Sequence, residues 1–319
     1  MSIVSTSLPV TPLLPLASDC GGNRLFVKRE DLLPFSFGGN KARKARLFFA
    51  ELQEQGCDCV VTYGSGSSNH CRVVANYAVA LGIPCCVVSP CETAEVTFNS
   101  KLVELFGAKV TVVPVAEVHD TIEKKLQQLR DKGHRPYFIA GGGHGKLGTQ
   151  AYVDCYHEIC DFERNNNLHF DYIFHASGTG TTQAGLICGQ LLQNDKRKII
   201  GISIARKCPR GRDVVLDSVR DYLNANACAI EEELLQQTTH FIDDYTGNGY
   251  GACQTAIIDT IRETMTCYGL PLDVTYTGKA FNGMRDYLKK HSISGKNILF
   301  IHTGGTPLFF NAVAKFQES

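Results

Sequence analysis

YIFHASGTGTTQAGLICGQLL, residues Tyr172 to Leu192, joins an apolar strand, a loop of glycines and hydroxyls, and a helix without a gap. Tyr172 to Ala176 has the length and composition of a buried strand, and a helical pattern runs from Ala184 to Leu192. The loop between them contains Ser177, Gly178, Thr179, Gly180, Thr181 and Thr182. Glycines let backbone N–H groups converge, hydroxyls add donors, and the start of a helix carries partial positive charge. Together these make a ready phosphate site. No lysine follows as in a nucleoside-triphosphate loop, and the glycine spacing is not that of dinucleotide-binding chains. A mononucleotide or cofactor phosphate therefore fits better than a triphosphate. A purely structural turn is the other reading of this loop taken alone.

The same alternation extends in both directions. Val60 to Tyr63, Cys85 to Ser89, Val110 to Pro114, Ile199 to Ala205 and Ile298 to Ile301 read as further strands. Asn69 to Leu81, Ala94 to Phe106 and Glu117 to Lys132 read as helices, and Asn165 to Asn167 form a polar break. Short strands separated by helices of this length predict βαβ units and an α/β fold of open, mostly parallel sheets. The alternation falls into two runs, about 45–140 and 150–319, which predicts two α/β domains. A chain of 319 residues is also long for a single core. In such sheets ligands bind beyond the carboxyl ends of the strands, so the chemistry belongs in the loops that follow them.

Composition limits the partners. The chain has 32 Lys+Arg against 32 Asp+Glu, for a formal net charge of zero, which disfavours nucleic acid or an anionic membrane surface. No apolar run approaches the roughly 18 residues of a membrane span. Pro9, Pro12 and Pro15 interrupt the apolar N-terminus, which lacks a basic start, so a secretory signal is not expected. The 14 cysteines contain no CxxC pair and no zinc-ligand spacing, and several lie inside apolar runs. They predict reduced, buried thiols and a cytoplasmic protein without a metal site.

Four further segments carry candidate chemistry. Gly38-Gly39-Asn40-Lys41-Ala42-Arg43-Lys44 follows a strand and turn, with Asn40 as helix cap and Lys41 and Lys44 on one helical face. An amine at an electropositive helix start tends towards a lowered pKa, which suits Schiff-base chemistry. By itself the segment reads more readily as a solvated basic helix start. Gly64-Ser65-Gly66-Ser67-Ser68-Asn69-His70 offers a second helix N-terminus, suited to a carboxylate, though a lone histidine there can simply pack. Tyr276-Thr277-Gly278-Lys279 and His302-Thr303-Gly304-Gly305-Thr306 follow in the C-terminal part. Asp243-Asp244-Tyr245 with Gly247-Asn248-Gly249-Tyr250-Gly251 forms another glycine and tyrosine loop.

In order, KREDLLPFSFGGNKARK, SSNH, ASGTGTTQAGL, DDYTGNGYG, DVTYTGKAFNGM and LFIHTGGTPLF occur along the chain. This set resembles the D-cysteine desulfhydrase and 1-aminocyclopropane-1-carboxylate (ACC) deaminase family, a fold type II group of pyridoxal-phosphate enzymes. The resemblance covers about Thr11 to Phe310. It implies a small domain, residues 44–150, inserted in a large cofactor domain of residues 1–43 and 151–319, and a homodimer acting on a small amino acid.

The resemblance also implies roles. Lys41 matches the Schiff-base lysine, and Lys44 with Gly178, Thr179, Gly180, Thr181 and Thr182 match the phosphate binders. Asn69 would lie beside the ring hydroxyl and Thr277 at the pyridine nitrogen. Ser68, Asn69, His70 and Thr303 would face the substrate, flanked by Tyr250 and Tyr276. ACC deaminases usually carry Glu in place of Thr277 and Leu in place of Thr303, whereas desulfhydrases carry hydroxyl residues at both. The two threonines thus imply β-elimination, from D-cysteine first, to pyruvate, hydrogen sulfide and ammonia. Related substrates are β-chloro-D-alanine, D-serine or an O-acylserine; ACC ring opening and a degenerate ligand-binding member are the remaining readings. Ser67, His144 and Lys146, and GYGACQ (Gly249–Gln254), depart from the family pattern on the expected substrate side.

Overall fold

Among the described residues, six strands build one sheet in the order β1-β2-β10-β7-β8-β9, and four build another in the order β5-β4-β3-β6. The structure is a computed structural model and describes residues 8–247, 249 and 254–316, with backbone only at 17–20 and 314–315. The large sheet contains β1 (Leu13–Cys20), β2 (Asn23–Arg29), β7 (Tyr172–Ser177), β8 (Lys198–Ser203), β9 (His240–Ile242) and β10 (Asn297–His302). The small sheet contains β3 (Cys59–Tyr63), β4 (Cys85–Pro90), β5 (Lys109–Val113) and β6 (Pro136–Ile139). Every pairing is parallel except β1 with β2. The α/β architecture of two mostly parallel sheets expected from the alternation is therefore present.

Helices cover both faces, which is why the central strands are near-continuous apolar runs. The helices are α1 (Asn40–Glu54), α2 (Asn69–Ala80), α3 (Phe98–Leu105), α4 (Val118–Asp131), α5 (Lys146–Asn166) and α6 (Thr181–Leu192). They continue with α7 (Arg210–Ala225), α8 (Glu232–Thr238), α9 (Thr255–Tyr268), α10 (Thr277–Lys290) and α11 (Thr306–Lys315). On one face of the large sheet, Tyr152, Tyr156, Leu186 and Val219 from α5, α6 and α7 pack on Ile173, Ile199 and Leu299. On the other, Ile261, Phe281, Met284 and Phe309 from α9, α10 and α11 pack on Val27, Phe174 and Phe300. The small sheet has α1, α2 and α3 on one side and α4 on the other.

Several boundaries differ from the sequence reading. Strand β1 was not expected, because prolines interrupt its segment; as an edge strand it tolerates Pro15, whose missing N–H faces no required partner. The helix expected from Ala94 begins at Phe98, where Thr97 and Ser100 form a reciprocal capping box. The helix expected from Ala184 begins at Thr181, because Gly180 at φ +98° makes the entry turn. Among the described cysteines none is in a disulfide; Cys59, Cys71, Cys85, Cys86, Cys155 and Cys188 are buried, but Cys57, Cys160 and Cys228 are only partly so, and Cys91, Cys208 and Cys267 are exposed and are not core residues.

Two packing features bear on the site. Gly185 and Gly189 on α6 face α5 so closely that an added Cβ would meet the Thr149 carbonyl oxygen at 2.3 Å and the Tyr156 ring at 2.6 Å. Glu30, just after β2, is wholly buried and accepts bonds from Arg43 Nε (2.6 Å) and Nη2 (2.8 Å) and from Thr11 (2.7 Å). Arg43 and Lys28 also reach Glu158 on α5, so one ionic cluster ties β2, α1 and α5 together.

Candidate active site

The glycine turn before α1 brings the first functional residue to the sheet edge. Gly39 has φ +89°, and a Cβ there would lie 2.7 Å from the Thr303 carbonyl oxygen. That same carbonyl accepts the Asn40 backbone N–H at 2.9 Å, so the start of α1 is pinned to the loop after β10. Asn40 does not cap the helix as expected. Gly39 occupies the cap position, and the Asn40 amide donates to Thr182 Oγ1 at 3.1 Å.

Lys41 then projects into a cavity of about 310 Å³ at the carboxyl ends of the strands. Its amine donates to the Gly142 carbonyl at 2.9 Å. Burial disfavours the ammonium and brings the Lys41 pKa down to about 8. The expected shift is present, but burial rather than the helix start is its cause. Lys44, one turn on, is sealed behind the cavity, 1% exposed. Its amine donates to Thr181 Oγ1 at 2.7 Å and lies 5.6 Å from the Tyr152 ring centroid. Burial, and then the charge of Lys41, depress its pKa far below the ordinary value. No carboxylate among the described residues pairs with it.

The loop after β7 completes this corner. Gly178, Thr179, Gly180 and Thr182 line the cavity, and Thr181 bonds Lys44 from behind. The first N–H groups of α6 have no side-chain cap, and the buried Thr179 hydroxyl has no hydrogen-bond partner. An uncapped helix start, an unpartnered hydroxyl and a buried lysine amine form a set of donors suited to an anion.

The loop after β3 supplies the opposite wall. Ser68 caps α2, its Oγ accepting the Cys71 N–H at 3.1 Å, and its side chain lines the cavity. Asn69 Oδ1 accepts from Asn99 Nδ2 at 2.9 Å and from Arg72 at 3.4 Å. Asn99 Nδ2 is itself fixed by the Ser67 carbonyl at 2.9 Å. These bonds orient the Asn69 amide with its N–H₂ donors away from Asn99 and Arg72. His70 also lines the cavity.

Tyr276 and Thr303 close the remaining side. The buried Asp273 organises this corner: Oδ1 accepts the Thr275 and Tyr276 N–H groups at 2.8 Å, and Oδ2 accepts the Thr277 hydroxyl at 2.8 Å. Thr277 is fully buried and does not line the cavity, its hydroxyl proton being committed to Asp273. The cavity thus gathers Lys41, Ser68, Asn69, His70, Gly178, Thr179, Gly180, Thr182, Tyr276 and Thr303, with Lys44, Thr181 and Thr277 behind them. Tyr250 lies outside the described residues. Ser67, His144 and Lys146 do not line the cavity.

Sequence reasoning passed over Tyr63, Gly141, Gly142, Ala205 and Arg206, all of which line it. Each stands at or just after the carboxyl end of a strand, the position where ligands of parallel sheets collect, so the strand ends alone were the available signal.

An amine of lowered pKa facing a phosphate-sized set of donors fits pyridoxal phosphate, which needs an aldehyde-binding lysine and an anion cradle within one cavity. The comparisons agree. Residues 4–304 match the sequence family described as pyridoxal-phosphate dependent enzyme. The chain is 33% identical to a D-cysteine desulfhydrase of Serratia proteamaculans, over 97% of this chain and 94% of that protein. It is 31% identical to a Pyrococcus abyssi protein named as a 1-aminocyclopropane-1-carboxylate deaminase, over 94% and 91%. The crystal structure of an ACC deaminase homologue superposes with a TM-score of 0.87 at 30% identity, covering 97% of this chain and 93% of that one. With family, fold and anion cradle in agreement, this chain belongs to the pyridoxal-phosphate dependent enzymes, in the group of D-cysteine desulfhydrase and ACC deaminase.

Proposed function

We propose that the chain is a lyase that removes the β-substituent of a small amino acid, D-cysteine first, yielding pyruvate, hydrogen sulfide and ammonia. The observation that carries this reading is the pair of lysines on one turn of α1, one facing the cavity and one buried without a counter-charge. The threonines at 277 and 303, where ACC deaminases usually have Glu and Leu, favour elimination over ring opening.

Lys41 would carry the cofactor aldehyde. Lys44, Thr179, Thr181 and the first N–H groups of α6 would hold the phosphate, with Asn69 donating to the ring hydroxyl. When bound, pyridoxal phosphate supplies an electron sink that acidifies the substrate α-carbon. Ser68 and the first N–H groups of α2 would bind the substrate carboxylate. Lys41, with a pKa of about 8, holds far more free amine near neutral pH than an ordinary lysine and would take the α-proton. Sulfide then leaves as the β-substituent, and water supplies the pyruvate oxygen as ammonia is released. Thr277 carries no charge, and its proton is spent on Asp273, so it would not hold the pyridine nitrogen protonated as a carboxylate would.

The test is a sulfide, pyruvate and 2-oxobutyrate assay with D-cysteine, L-cysteine, D-serine and ACC. Sulfide and pyruvate from D-cysteine, at the highest kcat/KM of the four, are expected. Turnover of ACC to 2-oxobutyrate without sulfide from D-cysteine would overturn the reading. Lys41→Ala should abolish the visible absorption of the holoenzyme; retained colour would remove Lys41 from its role.

A further inference from the structure

Behind His70 stands a hydroxyl that settles which of its nitrogens carries the proton. Thr62, on β3, is fully buried. Its Oγ1 donates to the Ile139 carbonyl on the neighbouring strand at 2.7 Å, and a carbonyl can only accept. A hydroxyl has one proton to give. The 2.8 Å contact between Thr62 Oγ1 and His70 Nε2 must therefore run the other way, with Nε2–H donating. The ring is also neutral, since burial, and then the charges of Lys41 and Lys44, hold its pKa far below 6.5. A neutral ring with its proton on Nε2 leaves Nδ1 as a bare lone pair on a residue that lines the cavity.

We propose that Thr62 is a positioning residue that locks His70 in the Nε2–H tautomer, so that His70 acts in the cavity only as an acceptor for a hydrogen-bond donor on the substrate. This rests on the amino-acid reading above. The donor is either the substrate amino group or its β-thiol. A histidine held in this way cannot protonate a leaving group, which suits departure of a stable anion such as sulfide better than hydroxide.

The direct test is two-dimensional nitrogen NMR of the full chain labelled at histidine, with the His70 signals identified by their loss in His70→Leu. At pH 7 the wild type should show Nε2 protonated and Nδ1 bare. A protonated Nδ1 would overturn the proposal, whether or not D-cysteine proves to be the substrate. Thr62→Val should release the ring to a different or mixed tautomer and lower kcat/KM about tenfold, the worth of one hydrogen bond. Thr62→Ser should restore both, whereas an unchanged tautomer in Thr62→Val would remove Thr62 from the role. His70→Leu, assayed with D-cysteine and with β-chloro-D-alanine, separates the donors. A loss confined to D-cysteine marks the thiol, an equal loss on both marks the amino group, and no loss on either sinks the proposal.

Discussion

Two lysines three positions apart on one helix are placed in opposite electrical circumstances. Lys41 borders the cavity, and burial alone brings it to about 8. Labelling of Lys41 in the apoprotein by an amine reagent, followed by mass spectrometry, should rise about tenfold per pH unit and level off near 8. An inflection near 10.5 would show that the fold leaves the amine unperturbed. Lys44 is a buried amine whose protonated form is disfavoured by burial and by the charge of Lys41, and its partner is a neutral hydroxyl. Lys44→Met should therefore raise the apoprotein melting temperature while weakening pyridoxal phosphate binding about 10- to 100-fold, read by fluorescence titration. A variant that loses stability and keeps its affinity would contradict the phosphate reading. The GGNK run placed both lysines on one face in the sequence. Thr62 and Gly142 were not legible there, because no local pattern pairs Thr62 with the imidazole of His70 on the next helix, and Gly142 meets the amine of Lys41 across 101 residues of chain.

At the scale of elements, the α5–α6 contact sets where the loop ahead of α6 sits. Gly185 lies one turn inside α6, and its missing side chain lets α5 come within contact of the helix backbone. Gly185→Ala should overpack this seam, cost about 1–3 kcal/mol in chemical denaturation, and weaken cofactor binding by displacing the first turn of α6. Unchanged stability would mean that α5 yields at no cost. Strand and helix types were legible from apolar runs such as Ile298 to Ile301 and from the loop ahead of α6. The hairpin partner β1 was not, because a proline reads as a break until its edge position is known. The start of α3 was also hidden, since residues 94–97 carry a helical composition that the Thr97 cap overrides.

For the whole molecule, the ionic cluster on Glu30 couples β2, α1 and α5 to acid. Burial pushes the Glu30 carboxyl up, but Arg43 outweighs it, with help from Lys28 and Thr11, and holds it at about 2. Its ordinary value being 4.5, the carboxylate contributes stability that is complete above about pH 4.5 and is lost as the pH falls towards 2. Urea midpoints taken from pH 5 to pH 3 should fall more steeply for the wild type than for Glu30→Gln, and parallel lines would exclude Glu30 as the titrating group. The order of strands has a consequence of another kind. Strand β10, the last of the described strands, lies at the centre of the large sheet between β2 and β7, and the loop after it fixes the start of α1. On the ribosome, residues 1–296 emerge before this strand exists. The nascent chain must carry β2 and β7 without their shared neighbour, and the start of α1 has no carbonyl of Thr303 to hold it until β10 and its loop have been made.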